Sequence, residues 1–311
     1  MRVSGFSFVR NAIDLQYPVV EAITSVLPLC DEFIVVAGNS SDGTTELLRS
    51  IDSPKLQIVE SVWDPALCVG GAIFAQQTNL ALDRCSGDWA FYIQADEIVH
   101  ERDLPIIEAQ TRRYLNEPRV EALLFDYLHF FGSYGSVQTS HNWYAHEIRI
   151  VRTGIGVRSW HDAQGFRRDG QKLRVAHSGA SIYHYGWVRS PRHLHRKGQA
   201  FTAVYAGPAA AGERAVQEDA PYPYGRLWGL KRFHGSHPAV MQERVRQQDW
   251  SVYRTHPAHK HDRIGIQVLS FVENNILGFR VGARRNYIAL PDIAREQLLL
   301  AWPQRLRRYS G

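Results

Sequence analysis

The 311-residue chain is poor in sulfur, with three cysteines and two methionines. Cys30, Cys68 and Cys85 are an odd number at spacings that fit neither a zinc site nor a redox pair. A disulfide scaffold is therefore excluded, and the three read as buried small hydrophobes in a reducing compartment. Long apolar runs are absent too: none approaches the ~18 residues of a membrane span. The opening MRVSGFSFVRNAID is interrupted by serine and closed by Arg10, so it does not read as a signal peptide. The expectation is a cytoplasmic protein, with peripheral contact at the inner membrane face left open. Charge of one sign is scarce as well, since 36 basic against 31 acidic residues leave only +5. That small excess suits anionic ligands or a membrane surface without demanding nucleic acid. Arg305, Arg307 and Arg308 are the exception, a cluster without nearby carboxylates that reads as a solvated helix face or a polyanion contact.

Two phosphate-binding loops are also missing. A dinucleotide-binding domain would carry a glycine-rich turn directly after its first strand, but Arg10-Asn11-Ala12 stands there. No P-loop occurs. Nicotinamide, flavin and P-loop chemistry are thereby disfavoured.

What the chain does have is alternation. Val3–Val9, Phe33–Ala37, Leu56–Val62 and Trp89–Gln94 read as strands. Between them, Pro18 opens a helix carrying Val19, Val20, Ile23, Val26 and Leu27. Asp42 or Thr44 can cap a second, and Ala72–Leu82 forms a third. Such alternation predicts an α/β fold with a parallel sheet and helices on both faces. Ligands of such sheets bind at the carboxyl ends of the strands, which puts Ala37–Asp42, Asp64–Gly71 and Gln94–Glu97 on one rim. After a helix at Pro105–Tyr114, aromatic-rich strands of mixed direction follow at Leu123–Phe131, Ile148–Arg152 and Ile182–Trp187. From about Pro191 the pattern turns helical. This divides the chain into a domain at 1–190 and a mainly helical extension at 191–311, which would shape the acceptor side or support a homo-oligomer. Within the extension, Ile264, Ile266, Leu269, Phe271, Val272, Ile276 and Leu277 predict a buried helix.

Gln94-Ala95-Asp96-Glu97 places adjacent acids directly after a strongly apolar strand. A carboxylate there is costly unless solvated, paired or bound to a metal, and oxygen ligands of this kind suit Mg²⁺ or Mn²⁺ beside phosphate oxygens. A solvated strand-end acid or a helix cap is the plain alternative. With its surroundings, the tetrapeptide resembles the family 2 glycosyltransferases of GT-A fold. The likeness runs over residues 1–190. It rests on Val35-Val36, Ser40-Ser41-Asp42-Gly43-Thr44, Gly70-Gly71, Thr78-Asn79, Gln94-Ala95-Asp96-Glu97, Glu147-Ile148-Arg149 with Arg152, His161-Asp162 and His184-Tyr185-Gly186-Trp187, in that order.

The resemblance implies inverting, metal-dependent transfer of a sugar from a nucleotide-diphosphate sugar to an acceptor hydroxyl. It implies Ser40, Asp42, Gly70, Gly71, Asn79, Gln94 and Ala95 around the donor. Asp96 and His184 would be ligands of a divalent cation (Mn²⁺ or Mg²⁺), and Asp162 the carboxylate that deprotonates the acceptor, with Glu147 in reserve. Glu147 could instead pair with Arg149 or Arg152 across a strand. The acceptor is left open among a glycan, a lipid-linked glycan and nucleic acid. The sequence departs from the family twice. Ala37-Gly38 stands where one or two aspartates often follow the second strand, and Gln94 replaces the first acid of the DxD motif.

Competing readings are a sugar-phosphate nucleotidyltransferase, which would open with a basic glycine-rich loop, and a nucleic-acid-binding protein, motivated by the arginine tail. Trp143, Tyr144, Trp160 and Trp187 gather toward the acceptor side, where they would stack on sugars or fill core. His256, His259 and His261 (HPAHKHD) look like a metal cluster or a surface loop, and His193 and His195 read as exposed.

Overall fold

A computed structural model describes residues 1–213, 221–224, 227–252, 263–277, 280–282, 286–290 and 293. The HPAHKHD segment and Arg305, Arg307 and Arg308 lie outside the described residues. The chain opens with β1 (Val3–Val9), α1 (Val19–Val26), β2 (Glu32–Ala37), α2 (Thr44–Arg49), β3 (Leu56–Glu60), α3 (Ala72–Leu82) and β4 (Trp89–Tyr92). Next come β5 (Glu97–Val99), α4 (Leu104–Arg113), β6 (Ala122–Phe131), β7 (Ser136–Gln138) and β8 (His146–Arg152). A small hairpin sheet of β9 (Val157–Trp160), β10 (Gly165–Arg168) and β11 (Gln171–Lys172) precedes the long β12 (Arg174–Trp187). The last described elements are α5 (Pro191–Ala206), α6 (Pro208–Glu213), β13 (Leu230–Arg232), α7 (Gln242–Arg246), α8 (Ile264–Val272) and β14 (Ile288–Ala289).

The architecture is α/β, a mixed sheet with flanking helices. β4, β1, β2 and β3 lie side by side and parallel. β8 joins β4 antiparallel, β6 joins β8 antiparallel, and β12 runs parallel to β6. Two reversals restore the original direction, so the carboxyl ends of β1, β2, β4 and β12 share one rim. β2 shows why its apolar run is continuous. Phe33 and Val35 face the core shared with α1, while Ile34 and Val36 face the core shared with α3. Each such side chain contributes about 1.5–3 kcal/mol through burial. The turn after β2 is held by Asp42, whose Oδ1 accepts from the Thr44 amide (3.1 Å) and hydroxyl (2.6 Å) at the start of α2.

The segment after residue 190 is woven into this sheet. β13 pairs with β7, and β14 runs parallel to β12. The helix expected around Ile264–Leu277 forms as α8 and a following π turn, but its apolar side is not buried. Ile264, Val268, Phe271 and Ile276 are exposed, whereas Ser270 and Glu273 point inward. The physical reason is a polar dock. Ser270 Oγ accepts from the His141 amide (2.8 Å), and Glu273 binds His141 Nδ1, Arg280 and the Val281 amide. His195 is a second correction, buried in α5 against Tyr222. Of the cysteines expected to be buried, only Cys30 is; Cys68 and Cys85 are half-buried, and all three are free. Among the described residues, no helix is long and apolar enough to cross a membrane.

Candidate active site

β4 delivers Gln94-Ala95-Asp96-Glu97 to the rim, and the two acids take opposite roles. Glu97 is wholly buried in a bidentate pair with Arg149 from β8, at 2.7 Å on each oxygen. Tyr127 donates to the same carboxylate (2.7 Å), and Arg149 also donates to the Gln164 carbonyl (3.1 Å). Removing one partner of such a pair costs about 3–5 kcal/mol. Glu97 is therefore a fixture that braces the turn, and the expected pairing of Glu147 with Arg149 or Arg152 is not made. Arg152 instead donates to the carbonyls of Tyr114, Leu115, Glu117 and Val120.

Asp96 faces the other way, onto the floor of a cleft of about 690 Å³. Its backbone carbonyl accepts from the Tyr185 amide (2.8 Å), which ties the turn to β12. From β12, His184 brings Nε2 to 3.9 Å from Asp96 Oδ1. The orientation of that imidazole follows from a chain of hydrogen bonds. His129 Nε2 donates to the Tyr144 carbonyl (2.7 Å), so its Nδ1 must accept, and His184 Nδ1 must donate to it (2.9 Å). The Nε2 lone pair of His184 is thereby left facing Asp96. Burial pushes both histidines toward the neutral form, His129 most strongly. A carboxylate oxygen and an imidazole lone pair on one small space are what a divalent cation requires, with a second imidazole fixing the tautomer. Gly186 keeps that space clear. A Cβ there would lie 2.5 Å from His184 Nε2 and 2.9 Å from Asp96 Oδ2.

Two buried cations stand beside these ligands. Lys197 of α5 donates from Nζ to Asp96 Oδ2 (3.1 Å) and to the Gly186 carbonyl (2.7 Å). Its ammonium lies 5.2–5.3 Å from the ring centres of Tyr17, Trp187 and Phe201. Burial lowers its pKa to about 8 against the pull of Asp96, which leaves it charged at neutral pH. Arg189, 1 % exposed, stacks on Tyr17 at 4.8 Å, and none of its three nitrogens makes a hydrogen bond of ordinary geometry among the described residues. Burial raises the Asp96 carboxyl, but Lys197, with Arg189, more than reverses this and holds it below the usual carboxylate range.

Another part of the cleft wall is aromatic. Trp63 packs on Phe74 and Phe8, with the Arg10 guanidinium 5.1 Å above its ring. The indole also accounts for Gly38, since a Cβ at that position would come within 2.5 Å of Trp63 Nε1. An acid at position 38 would have no room. Asn39, next along, accepts from the Trp63 amide (3.2 Å) and lines the cleft.

Of the sequence-predicted residues, Gln94, Ala95, Asp96, Asp162 and His184 line the cleft, with Trp143, Tyr144 and Trp187. Trp160 is exposed on the hairpin sheet and does not. Neither do Ser40, Asp42, Gly70, Gly71 or Asn79. Ser40 accepts from the Asn11 amide, Asp42 caps α2, and Asn79 accepts from the Ser159 amide. Gly70 and Gly71 adopt positive φ and close against the end of α5, where the Gly70 amide donates to the Tyr205 carbonyl (3.1 Å). Asp162 sits at that junction and accepts from the Tyr205 hydroxyl (3.0 Å). Glu147 is buried behind Gln164, whose amide donates to it (3.1 Å), and burial raises its pKa to about 7. Sequence reasoning missed Lys197, Arg189, His129, Tyr17 and Trp63. For Lys197, the available signal was a lone lysine on the inward side of α5 among Leu194, Phe201 and Val204.

Asp126, His146 and His177 form a second group close enough to hold an ion. Hydrogen bonding already explains this one. His177 Nδ1 accepts from the Gly179 amide (2.9 Å), so its Nε2 carries the proton and donates to Asp126 (3.1 Å). A metal at Nε2 would have to break that arrangement.

No protein-family profile and no curated protein matches the chain. Among solved structures, it is similar to S. aureus TarS residues 1–349, at 16% identity and TM-score 0.39, over 66% of this chain and 65% of that one. The chain thus spans less than two thirds of that structure's length. It is also similar to a mannosyltransferase from Pyrobaculum calidifontis in complex with GDP-Man and Mn²⁺. There the identity is 24% and the TM-score 0.32, over 39% of this chain and 34% of that one. A third is glucosyl-3-phosphoglycerate synthase from Mycobacterium tuberculosis in complex with Mn²⁺, UDP and glucosyl-3-phosphoglycerate. Here the identity is 19% and the TM-score 0.29, over 40% and 44% of the two chains. These superpositions are partial, and the functional reading rests on this chain's own residues.

Proposed function

We propose that the chain is a family 2-like glycosyltransferase of GT-A type, which moves a sugar from a nucleotide-diphosphate sugar to an acceptor hydroxyl with inversion. The observation that carries this reading is the floor of the cleft. Asp96 Oδ1 and His184 Nε2 lie 3.9 Å apart, aimed at a space that Gly186 keeps open, on the carboxyl rim of the parallel strands of a mixed sheet. Held by those two atoms, a divalent cation would offset the negative charge that develops on the departing diphosphate. The chain's own residues account for the remainder. Lys197, which lines the cleft, supplies fixed positive charge where the diphosphate would lie, and the buried charge of Arg189 adds to it at Asp96. Trp63, Arg10 and Asn39 offer a stacking face and an amide for the nucleobase, in place of the absent acids after β2. Trp143, Tyr144 and Trp187 line the wall toward the acceptor. Asp162, at the mouth, is the group that takes the acceptor proton. Glu147 has a pKa suited to a base but stands behind Gln164, away from the cleft.

The test is a binding and hydrolysis screen of UDP-, GDP-, dTDP- and CMP-sugars with Mn²⁺, with Mg²⁺ and in EDTA. One nucleotide and a metal together should raise thermal stability and support slow donor hydrolysis. Failure of every donor to bind under all three conditions would sink the reading.

A further inference from the structure

We propose that Lys197 makes occupation of the Asp96–His184 position conditional on the donor's diphosphate, by acting as a built-in cation that excludes a metal until that anion arrives. The proposal rests on the glycosyl-transfer reading only for the identity of the anion.

The argument is one of charge and place. Lys197 Nζ binds one oxygen of the carboxylate whose other oxygen faces His184 Nε2. Any cation on the second oxygen is therefore a near neighbour of the ammonium, in a setting from which water is largely removed: Lys197 is 4 % exposed, Asp96 6 % and His184 7 %. Arg189 adds a second buried positive charge that acts on Asp96. Two fixed positive charges, Lys197 at 3.1 Å and Arg189, thus already act on the single carboxylate of Asp96. A divalent ion entering alone meets repulsion that a low-dielectric site barely screens. A diphosphate changes the sign of the balance. Its oxygens attract Lys197 and Arg189 and complete the shell of the ion, so that anion and metal each raise the other's affinity by the same factor. Among the described residues, the ammonium has no competing anchor that would let it swing away beforehand. Its other partner is the Gly186 carbonyl, and three aromatic rings surround it.

The experiment is Mn²⁺ titration of the full chain, with free Mn²⁺ followed by electron paramagnetic resonance, alone and with saturating UDP or GDP. Mn²⁺ that still binds an Asp96→Asn, His184→Ala double variant is assigned elsewhere, including to the Asp126 group. For the wild type, the nucleotide should raise Mn²⁺ affinity about 10- to 100-fold. Lys197→Met should bind Mn²⁺ alone about 10-fold more tightly than the wild type, with the nucleotide's help reduced by the same factor, and Lys197→Arg should keep the wild-type pattern. Equal Mn²⁺ affinity with and without a nucleotide that binds would overturn the proposal in the wild type alone, whatever the folding of the variants. Unchanged Mn²⁺-alone affinity in a folded Lys197→Met would overturn it too. If no nucleotide binds, the donor reading fails, yet tighter Mn²⁺ binding by Lys197→Met still upholds the exclusion by Lys197.

Discussion

Lys197 and Asp96 are 101 residues apart in sequence and 3.1 Å apart in space, joined inside a cleft that both side chains line. The contact makes α5 part of the site. A helix from beyond residue 190 supplies a cation to the turn after β4, and its far end, through Tyr205, reaches Asp162 and the Gly70 amide. The segment read as an acceptor-side extension thus also closes the cleft over the turn after β4.

Glu147 gives the clearest pH dependence. Burial raises its folded pKa to about 7 from an ordinary 4.5. The folded state therefore holds a proton that the unfolded state has released between those values. Its contribution is full below about pH 4.5 and is lost as pH rises through 7, by an amount on the order of 3 kcal/mol. Denaturant unfolding at pH 5.5 and 8.5 should show this loss in the wild type and not in Glu147→Gln. Identical pH dependence in the two proteins would show that Glu147 is not the group responsible.

Much of this fold was legible because its signals are local. The strands at Val3–Val9 and Phe33–Ala37 and the helix at Ala72–Leu82 follow from short periodic runs bounded by turn residues, and they form where the pattern puts them. Asp96 and His184 stood out because an acid after an apolar strand, and a histidine after another, are locally anomalous. Lys197, Arg189 and His129 were not visible in this way. Their meaning depends on long-range pairing, β12 beside β6 for the two histidines and α5 folding back on the rim for the lysine. α8 misled for a related reason. Its apolar positions repeat as in a buried helix, but the docking is decided by Ser270 and Glu273 reaching His141.

Gly186→Ala tests whether the space above Asp96 is used. The new methyl group would crowd His184 Nε2 and Asp96 Oδ2 directly. Relieving it should cost about 1–3 kcal/mol of stability. Metal-assisted nucleotide binding should weaken by more than the loss of stability alone explains. A folded variant with unaltered binding in calorimetry would mean that the ligand lies elsewhere in the cleft.

His129 is a positioning residue. It fixes the His184 tautomer through Nδ1 and does not itself line the cleft. His129→Leu should lower Mn²⁺ affinity in the presence of nucleotide by about 10- to 100-fold, the usual effect of losing an outer-shell partner. Nitrogen-15 chemical shifts of His184 provide the reading that packing alone would not move. In the wild type, the proton should be on Nδ1, and in the variant the two tautomers should mix. A His184 spectrum unchanged by the substitution would remove the relay from the account.

The base is decided by access against proton affinity. Asp162 lines the cleft and accepts from Tyr205, whereas Glu147 has the better-matched pKa but lies behind Gln164. A general base must reach the proton it takes before its pKa matters. Asp162→Asn should therefore leave donor and metal binding nearly unchanged and lower turnover by roughly 100-fold or more. Glu147→Gln should change turnover little while altering the stability profile described above. Tyr205→Phe removes the hydroxyl that donates to Asp162 and should reduce turnover less than loss of the carboxylate does. If Glu147→Gln is the variant that stops transfer, Gln164 must move aside during the reaction and the assignment reverses. If the product keeps the donor's anomeric configuration, single displacement fails for either carboxylate.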